Sequence, residues 1–174
     1  FWRNNLNLLI IGAGGHGKCC YDIAVRMNCF TKIEFVDDSE EYVLGKKVIG
    51  KQSDLESLRN MFDCAFVAIG NNQVRKSLYD ILSLMQYRKV NLLDPSAVVS
   101  SFAKLGEGIV VFPNAVIEAS AVIDDGCIVS ANSIVHHDAM VKEYALIYGN
   151  CIIRPMVKIQ SFTVVKSGTV VENC

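Results

Sequence analysis

The sequence lacks an excess of charge of either sign. Its 17 Lys and Arg residues are balanced by 18 Asp and Glu residues, leaving a formal net charge of −1 at pH 7. A nucleic-acid surface needs a basic patch, so no nucleic-acid partner is expected. No apolar run approaches the roughly 18 residues of a membrane span, so no membrane partner is expected either. The apolar run 8–11 has neither a basic start nor a cleavage site, and we expect no signal peptide.

The seven cysteines lack the spacing of a zinc site or of a redox pair. There is no CxxC sequence, and Cys19 and Cys20 are adjacent in the chain. Cysteines placed in this way behave as small hydrophobic residues. We therefore expect free thiols in a reducing compartment, which indicates a cytoplasmic protein without a bound metal ion.

The sequence does have an unbroken period of six residues from Leu92 to Cys174. The second letter of every hexad is Leu, Ile or Val, and the sixth is Ala, Ser, Thr or Cys except at Ile109 and Val157. A fixed period of this kind is typical of a stacked array. The hexads read LLDPSA, VVSSFA, KLGEGI, VVFPNA, VIEASA, VIDDGC, IVSANS, IVHHDA, MVKEYA, LIYGNC, IIRPMV, KIQSFT, VVKSGT and VVENC.

The period favours strands over helices. Six residues of α-helix turn through about 600°, which would scatter the aliphatic positions around the axis. Six residues of strand return to the same face, so the second letters share one core, and the small sixth letters face inward near a bend. A β-sandwich is the alternative, but its loops vary in length and would break the register. We therefore predict an all-β domain of stacked short strands over residues 92–174.

The first 91 residues alternate strand-like and helix-like segments, which indicates a parallel sheet with flanking helices. About 90 residues is too short for both halves of a dinucleotide-binding domain and suits one mononucleotide-binding half. The predicted domains are therefore 1–91 and 92–174. Predicted strands cover 8–11, 32–36 and 64–69, with a short strand or turn at 48–50. Predicted helices cover 18–27, 54–61 (with Ser53 as N-cap and Glu56 completing a capping box) and 73–87.

A glycine-rich turn follows the first predicted strand and opens the first predicted helix. Gly12, Gly14 and Gly17 match the Gly-x-Gly-x-x-Gly pattern in the context that gives it meaning. Glycines let backbone N–H groups approach a phosphate, and a helix N-terminus favours negative charge. Asp37 or Asp38, about 20 residues further on, would suit a ribose or a base. A tight turn without a ligand and an NAD site are the alternatives, and the short domain disfavours NAD.

The segment Val135-His136-His137-Asp138 is the second candidate site. Both histidines lie outside the aliphatic column, and histidine suits general-base catalysis near neutral pH, with a neighbouring carboxylate to orient it. A solvated surface pair is the alternative. A metal site made from both histidines is disfavoured, because adjacent strand residues point to opposite faces.

Four segments together resemble one family: IGAGGHGK at 11–18, FVDD at 35–38, VAIGNN at 67–72 with Arg75, and DPSAVVS at 94–100. They are similar to the sialic-acid O-acetyltransferase and UDP-4-amino-sugar N-acetyltransferase family (NeuD/PglD-like). The resemblance covers nearly the whole chain. It implies an α/β Rossmann-like half domain followed by a left-handed parallel β-helix, with three hexads per coil and between four and five coils.

The resemblance also implies a function and its residues. The chain would be a homotrimeric acetyltransferase that moves an acetyl group from acetyl-CoA to an amine or hydroxyl of a nucleotide-linked amino sugar or a sialic-acid-type sugar. His137 aligns with the family's general base, and Asp138 would orient its ring. The residues implied to bind the nucleotide-sugar are Gly12, Gly14, Gly15, His16, Gly17, Asp37, Asp38, Asn71, Asn72 and Arg75.

The chain departs from the family pattern at several positions. His136 stands where relatives have an acidic residue, and Leu146 stands where they often have a second histidine. Glycines expected near Arg154 and after Ile159, in the coils that bind CoA, are missing. Relatives continue past the position of Cys174 with a further strand, so an end there would leave an unpaired strand edge. A second interpretation therefore stays open: a non-catalytic trimer that binds nucleotide-sugars or serves as a scaffold, with a degenerate CoA site.

Overall fold

The computed structural model of the chain describes residues 6–172. The chain divides into two compact units, Phe1–Val90 and Asn91–Cys174. Within the described residues, no helix combines the length and the apolar character that crossing a membrane requires. Six of the cysteines are free thiols, and Cys174 lies outside the described residues.

The first unit is an α/β fold built on a parallel sheet. Its elements in chain order are β1 (Leu6–Ile11), α1 (Gly15–Met27), β2 (Phe30–Val36), β3 (Tyr42–Val43), β4 (Lys46–Lys47), α2 (Leu55–Leu58), β5 (Cys64–Val67), α3 (Asn72–Leu84) and β6 (Arg88–Lys89). The parallel sheet has the order β2-β1-β5-β6. Residues 8–11 and all of β5 are buried, as expected for inner parallel strands that are covered on both faces.

The structure moves several predicted boundaries by two or three residues. Helix α1 begins at Gly15 rather than at residue 18, helix α3 ends at Leu84 rather than at 87, and β5 ends at Val67 rather than at 69. Residues 48–50 form no strand, and Gly50 makes only an isolated parallel bridge with Val36. The two short strands nearby, β3 and β4, pair antiparallel instead.

The segment predicted as a helix before β5 is a single α-helical turn between two 3₁₀ turns. The 3₁₀ turns cover Gln52–Asp54 and Arg59–Met61, on either side of α2. Ser53 was predicted as the N-cap, and this prediction is wrong. The Asp54 carboxylate instead accepts a hydrogen bond from the Lys51 backbone N–H at 2.8 Å, so the reciprocal partner predicted at Glu56 is not used.

The second unit is a left-handed parallel β-helix, as the resemblance implied. Each strand pairs in parallel with the strand 18 residues away, as Val110 does with Ile128, so three hexads make one coil. The first face contains β7 (Leu92–Leu93), β10 (Val110–Val111), β13 (Ile128–Val129), β16 (Leu146–Ile147) and β19 (Val164–Val165). The second contains β8 (Val98–Val99), β11 (Val116–Ile117), β14 (Ile134–Val135), β17 (Ile152–Ile153) and β20 (Val170–Val171). The third contains β9 (Lys104–Leu105), β12 (Val122–Ile123), β15 (Met140–Val141) and β18 (Lys158–Ile159).

The core of the β-helix consists of the second and sixth hexad positions, as predicted. Second-position residues such as Val129 and Val135 are fully buried, and so are small sixth-position residues such as Ala121 and Cys127. The larger sixth-position residue Ile109 is also buried in this core. The alternation of side chains along a strand therefore sets the inside of each coil.

The corners of the coils follow a rule that the hexad pattern did not reveal. From residue 108 to residue 168, the fifth position of every hexad has a positive φ in the left-handed region, even at Tyr144, Met156 and Phe162. From residue 126 to residue 168, the backbone N–H of this fifth position bonds to a carbonyl oxygen of the preceding coil, as Tyr144 N–H does to Asp125 at 2.8 Å. The corners are therefore stacked by hydrogen bonds along the helix axis.

Candidate active site

The two adjacent histidines lie at the corner that follows β14. His137 Nδ1 is 2.8 Å from Asp138 Oδ2, and both side chains are about half exposed. Asp138 occupies the left-handed corner position with a φ of 60°, which Asp tolerates better than most residues. Its N–H bonds to the Ala119 carbonyl oxygen of the preceding coil at 3.3 Å. The backbone therefore holds the Asp138 carboxylate beside the imidazole of His137.

Glu118 joins this corner from the preceding coil, 18 residues earlier. Its Oε2 lies 3.0 Å from His136 Nδ1 and accepts a hydrogen bond from the His137 backbone N–H at 2.9 Å. The His137 N–H is the main cause that lowers the pKa of Glu118, and His136 adds to the effect. Glu118 was not among the residues predicted from the sequence, although its spacing of 18 residues from His136, one coil or three hexads, points to it.

The two histidines lie beyond the end of their strand. They were expected to point to opposite faces because neighbouring strand residues alternate, but the strand ends at Val135 and both histidines lie in the turn after it. Each imidazole contacts a carboxylate through Nδ1. Among residues 6–172, no group of three or more His, Cys, Asp or Glu side chains could hold a metal ion.

This arrangement suits proton transfer. An imidazole whose Nδ1–H donates to a carboxylate presents the lone pair of Nε2 as its proton acceptor. His137 is the more accessible of the two, with 53% of its side chain exposed against 26% for His136. Geometry alone allows either histidine to act as a general base.

The glycine loop lies between β1 and α1, and its glycines serve two purposes. A Cβ on Gly12, which has a φ of +107°, would lie 2.8 Å from the Ala68 carbonyl oxygen, and a Cβ on Gly17 would overlap the Gly12 carbonyl oxygen. Gly14 and Gly15 are exposed and have open space where a side chain would be. The first pair therefore permits close packing, and the second pair leaves the loop open to a ligand.

Asp37, at the end of β2, is bonded to the glycine loop. Its Oδ2 accepts the Ala13 N–H at 2.7 Å, and its Oδ1 accepts the N–H groups of Ser39 and Glu40 at 2.8 and 2.9 Å. Burial disfavours the charged form, but these three donors outweigh it and lower the pKa of Asp37. Asp38 is exposed, and its Oδ1 accepts the Gln52 N–H at 2.9 Å.

The residues predicted after β5 form the start of α3. Asn71 is the N-cap, and its side-chain oxygen accepts the N–H groups of residues 73 and 74. Arg75 is fully buried. Its guanidinium donates to the carbonyl oxygens of Ile69 and Gly70, both at 2.9 Å, and to Asn72 Oδ1 at 2.8 Å. Arg75 and Asn72 thus hold the loop in place.

His16 also faces the protein interior. Its Nε2 is 3.6 Å from the Sγ of the buried Cys20. Burial, with a smaller contribution from the positive charge of Arg75, lowers the pKa of His16 to about 4. The ring is therefore neutral near pH 7 and brings no positive charge to the glycine loop.

Comparison with known proteins places these features in one family. The family described as the PglD N-terminal domain matches residues 7–82. The acetyltransferase domain of PglB from Neisseria gonorrhoeae is 30% identical, with a TM-score of 0.86 over 97% of this chain and 91% of that one. The chain belongs to the NeuD/PglD-like acetyltransferase family. This confirms the resemblance seen in the sequence.

Other members of the NeuD/PglD-like family have been solved with ligands. PerB from Caulobacter crescentus, in complex with CoA and GDP-perosamine, is 30% identical with a TM-score of 0.83, over 95% of this chain and 88% of that one. The Neisseria domain has also been solved with acetyl coenzyme A. The UDP-N-acetylbacillosamine N-acetyltransferase of Bacillus subtilis is 35% identical over 109 residues, 60% of this chain and 50% of that enzyme. The match thus spans about half the length of that curated relative.

Proposed function

We propose that this chain transfers an acetyl group from acetyl-CoA to the amine of a nucleotide-linked amino sugar. The contact between His137 and Asp138 carries the proposal, because it provides an oriented proton acceptor at an exposed corner of the β-helix. The ligands named for the relatives, acetyl coenzyme A, CoA and GDP-perosamine, support this class of reaction. A hydroxyl acceptor, including that of a sialic-acid-type sugar, would need the same base. It is the alternative to the amine, and the assay below distinguishes the two acceptors.

The reaction requires a base because the attacking amine must lose a proton. The nitrogen lone pair of the amine attacks the thioester carbonyl carbon, and the carbon–sulfur bond then breaks to release CoA as its thiolate, which becomes the thiol on taking up a proton. His137 Nε2 accepts the proton that leaves the nitrogen, while Asp138 orients the ring and stabilises the imidazolium through Nδ1. This division of roles follows the family resemblance, which implies that His137 is the base.

The nucleotide-sugar would bind at the glycine loop of the first unit. Gly14 and Gly15 have the open space that a diphosphate needs for close backbone approach, and they lie at the N-terminus of α1, which favours negative charge. Asp37 holds the loop through Ala13. We assign Arg75 and Asn72 to positioning the neighbouring loop, since the Arg75 guanidinium is buried against backbone carbonyl oxygens.

The proposal includes a homotrimer as the working assembly. First-position residues of the second face point outward and are all aliphatic: Val98, Val116, Ile134, Ile152 and Val170. The end residues Val98 and Val170 are 62% and 50% exposed. A continuous apolar strip of this kind suits burial against other copies of the chain. His136 and His137 follow the middle strand of this face directly, so the histidine corner would lie beside the interface.

A second candidate function is a non-catalytic sugar-nucleotide-binding protein. Where the family resemblance predicts glycine, this chain has side chains that contact their neighbours. The Phe162 ring stacks on the Tyr144 ring with centroids 5.6 Å apart, and Ser161 Oγ donates to Glu143 Oε2 at 2.6 Å. These contacts fill a corner that glycine would leave open. Calorimetry with CoA tests whether the chain still binds CoA.

Purified variants in an acetyl-transfer assay test the proposal. His137→Ala should lower kcat by about 10²–10⁴-fold, the usual contribution of a general base, with little change in the KM for acetyl-CoA. His136→Ala, the matched control from the same corner, should cost much less. The assay follows CoA thiol release with UDP-, dTDP- and GDP-linked amino sugars and with CMP-sialic acid.

Three outcomes would decide against parts of this proposal. Full activity of His137→Ala, or a collapse only in His136→Ala, would show that the base is assigned wrongly. Transfer only to a hydroxyl acceptor would replace the amine. A wild-type protein that binds a nucleotide-sugar but neither binds CoA nor transfers acetyl would support the non-catalytic candidate.

A further inference from the structure

We propose that Glu118 is a positioning residue that holds the histidine corner from the preceding coil. The effect of Glu118 on catalysis rests on the proposed acetyl transfer, whereas its contacts with the two histidines do not depend on that proposal. One carboxylate oxygen, Oε2, contacts both His136 Nδ1 at 3.0 Å and the His137 backbone N–H at 2.9 Å.

The position of Glu118 is itself fixed by the strand ladder. Its backbone N–H donates to the Val135 carbonyl oxygen at 2.9 Å, so its side chain begins directly beside the residue that precedes the histidine pair. The next residue, Ala119, accepts the Asp138 N–H at 3.3 Å. Two consecutive residues of one coil therefore contact three consecutive residues of the next, His136 to Asp138.

This contact matters because the histidines stand in a turn. The following coil already restrains this turn, since the His136 N–H donates to the Ile153 carbonyl oxygen at 3.0 Å and the His137 carbonyl oxygen accepts the Met156 N–H at 3.3 Å. The Asp138 carboxylate orients only the imidazole. The Glu118 carboxylate instead restrains the backbone of His137, which sets where that imidazole starts. The His137 N–H, and to a lesser degree His136, lower the pKa of this carboxyl group, so it accepts these hydrogen bonds as a carboxylate at neutral pH. A general base must lie within hydrogen-bond reach of the proton it accepts, so a shift of the corner would reduce turnover.

The test uses two substitutions at Glu118 and one control substitution in the chain of residues 1–174. Glu118→Ala removes the acceptor, and Glu118→Gln keeps an oxygen that can accept the His137 N–H. Asp124→Ala is the control, because it removes a different contact between coils, the ion pair with Lys142 at 2.8 Å. Steady-state kinetics give kcat and KM, and amide hydrogen exchange of His137, followed by NMR, reports the contact without any need for activity.

We expect Glu118→Ala to lower kcat by about 10- to 100-fold, the scale of a misplaced catalytic group, with the KM for acetyl-CoA nearly unchanged. The His137 amide should exchange faster in this variant. Glu118→Gln should restore most of the kcat and the slow exchange, and Asp124→Ala should match the wild type in both.

Each contrary result has a separate meaning. Unchanged exchange in Glu118→Ala would overturn the contact itself. Faster exchange with unchanged kcat would overturn its role in positioning the base. An equal loss of kcat in Asp124→Ala would show that the loss in Glu118→Ala comes from general destabilisation of the β-helix, and the specific role of Glu118 would be overturned. If the wild type transfers no acetyl group, the proposed function fails, whereas faster exchange in Glu118→Ala would still support Glu118 as the residue that holds this corner.

Discussion

Substitution of Gly17 by Ala should destabilise the first unit through a contact between two stretches of backbone. A Cβ at this position would overlap the Gly12 carbonyl oxygen and lie 3.0 Å from its carbonyl carbon, whereas carbon atoms ordinarily meet at about 3.5–4.0 Å. No side-chain rotation can relieve this overlap, because the main chain fixes the position of Cβ and the atoms that it meets belong to the main chain. Helix α1 must therefore move away from the end of β1.

The magnitude follows from two opposing terms. Overpacking of a close contact costs about 1–3 kcal/mol, and a contact with backbone belongs at the upper end of that range. Ala in place of Gly within a helix returns about 0.5–1 kcal/mol. The net loss is about 2 kcal/mol, which lowers the melting temperature of a domain of about 90 residues by roughly 8–16 °C.

Far-UV circular dichroism measures this loss in the right part of the molecule, because the described α-helices all lie in the first unit. Gly15→Ala is the matched control, since a Cβ there has no neighbour within 4 Å; it should melt at or slightly above the wild-type temperature. Gly14→Val should also keep its helical signal, because the same open space surrounds it. It should nevertheless weaken binding of UDP-, dTDP- and GDP-linked amino sugars, as measured by calorimetry.

Two results would refute this reasoning. A Gly17→Ala protein that melts with the wild type would show that the close approach to Gly12 is not needed for stability. Equal sugar-nucleotide affinity of wild type and Gly14→Val would remove the basis for a diphosphate at the loop, and tight NAD binding would favour the dinucleotide alternative.

Two further predictions concern pH and assembly. The folded-state pKa of His16, about 4, lies below its ordinary value of 6.5, so its contribution to stability is complete above pH 6.5 and falls as the pH drops towards 4. The loss in the free energy of unfolding reaches about 3 kcal/mol at most. In His16→Gln, thermal stability should therefore fall less steeply as the pH drops. A pH dependence identical to that of the wild type would contradict the lowered pKa of His16. The family resemblance implies a trimer, which light scattering should detect. If the aliphatic strip of the second face is the interface, replacing its Ile134 by Asp should give monomers, whereas a wild-type monomer at micromolar concentration would count against the assembly.

The sequence predicted the architecture of the second unit almost entirely. A period of six is a multiple of the two-residue alternation of a strand, so second-position residues such as Val129 and Val135 had to face one core. Three hexads per coil and the left-handed sense came from the family resemblance, and the pairing of Val110 with Ile128 agrees with the coil length. The candidate base His137 and its neighbour Asp138 were also named from the sequence, and the structure brings the two side chains together; their catalytic roles stay predictions.

In the first unit, the sequence located the elements but not the local contacts that end them. The cap at Ser53 was predicted from residue propensities alone. In the structure the cap is instead a hydrogen bond from the Lys51 N–H to the Asp54 carboxylate. Arg75 was named as a ligand-binding residue from a motif, and the structure buries its guanidinium against loop carbonyl oxygens. A motif records which residues occur together, and it does not record whether a side chain turns inward or outward.

Sequence alone therefore determined which side chains enter the β-helix core, because the alternation of strand residues is a local property of the chain. Only the tertiary structure decided what meets at the corners. The contact of Glu118 with His136 and His137 joins residues one coil apart, and it depends on how one coil lies on the next. The left-handed backbone at Asp138 likewise comes from closing the coil, a requirement that acts on the fifth position whatever residue stands there.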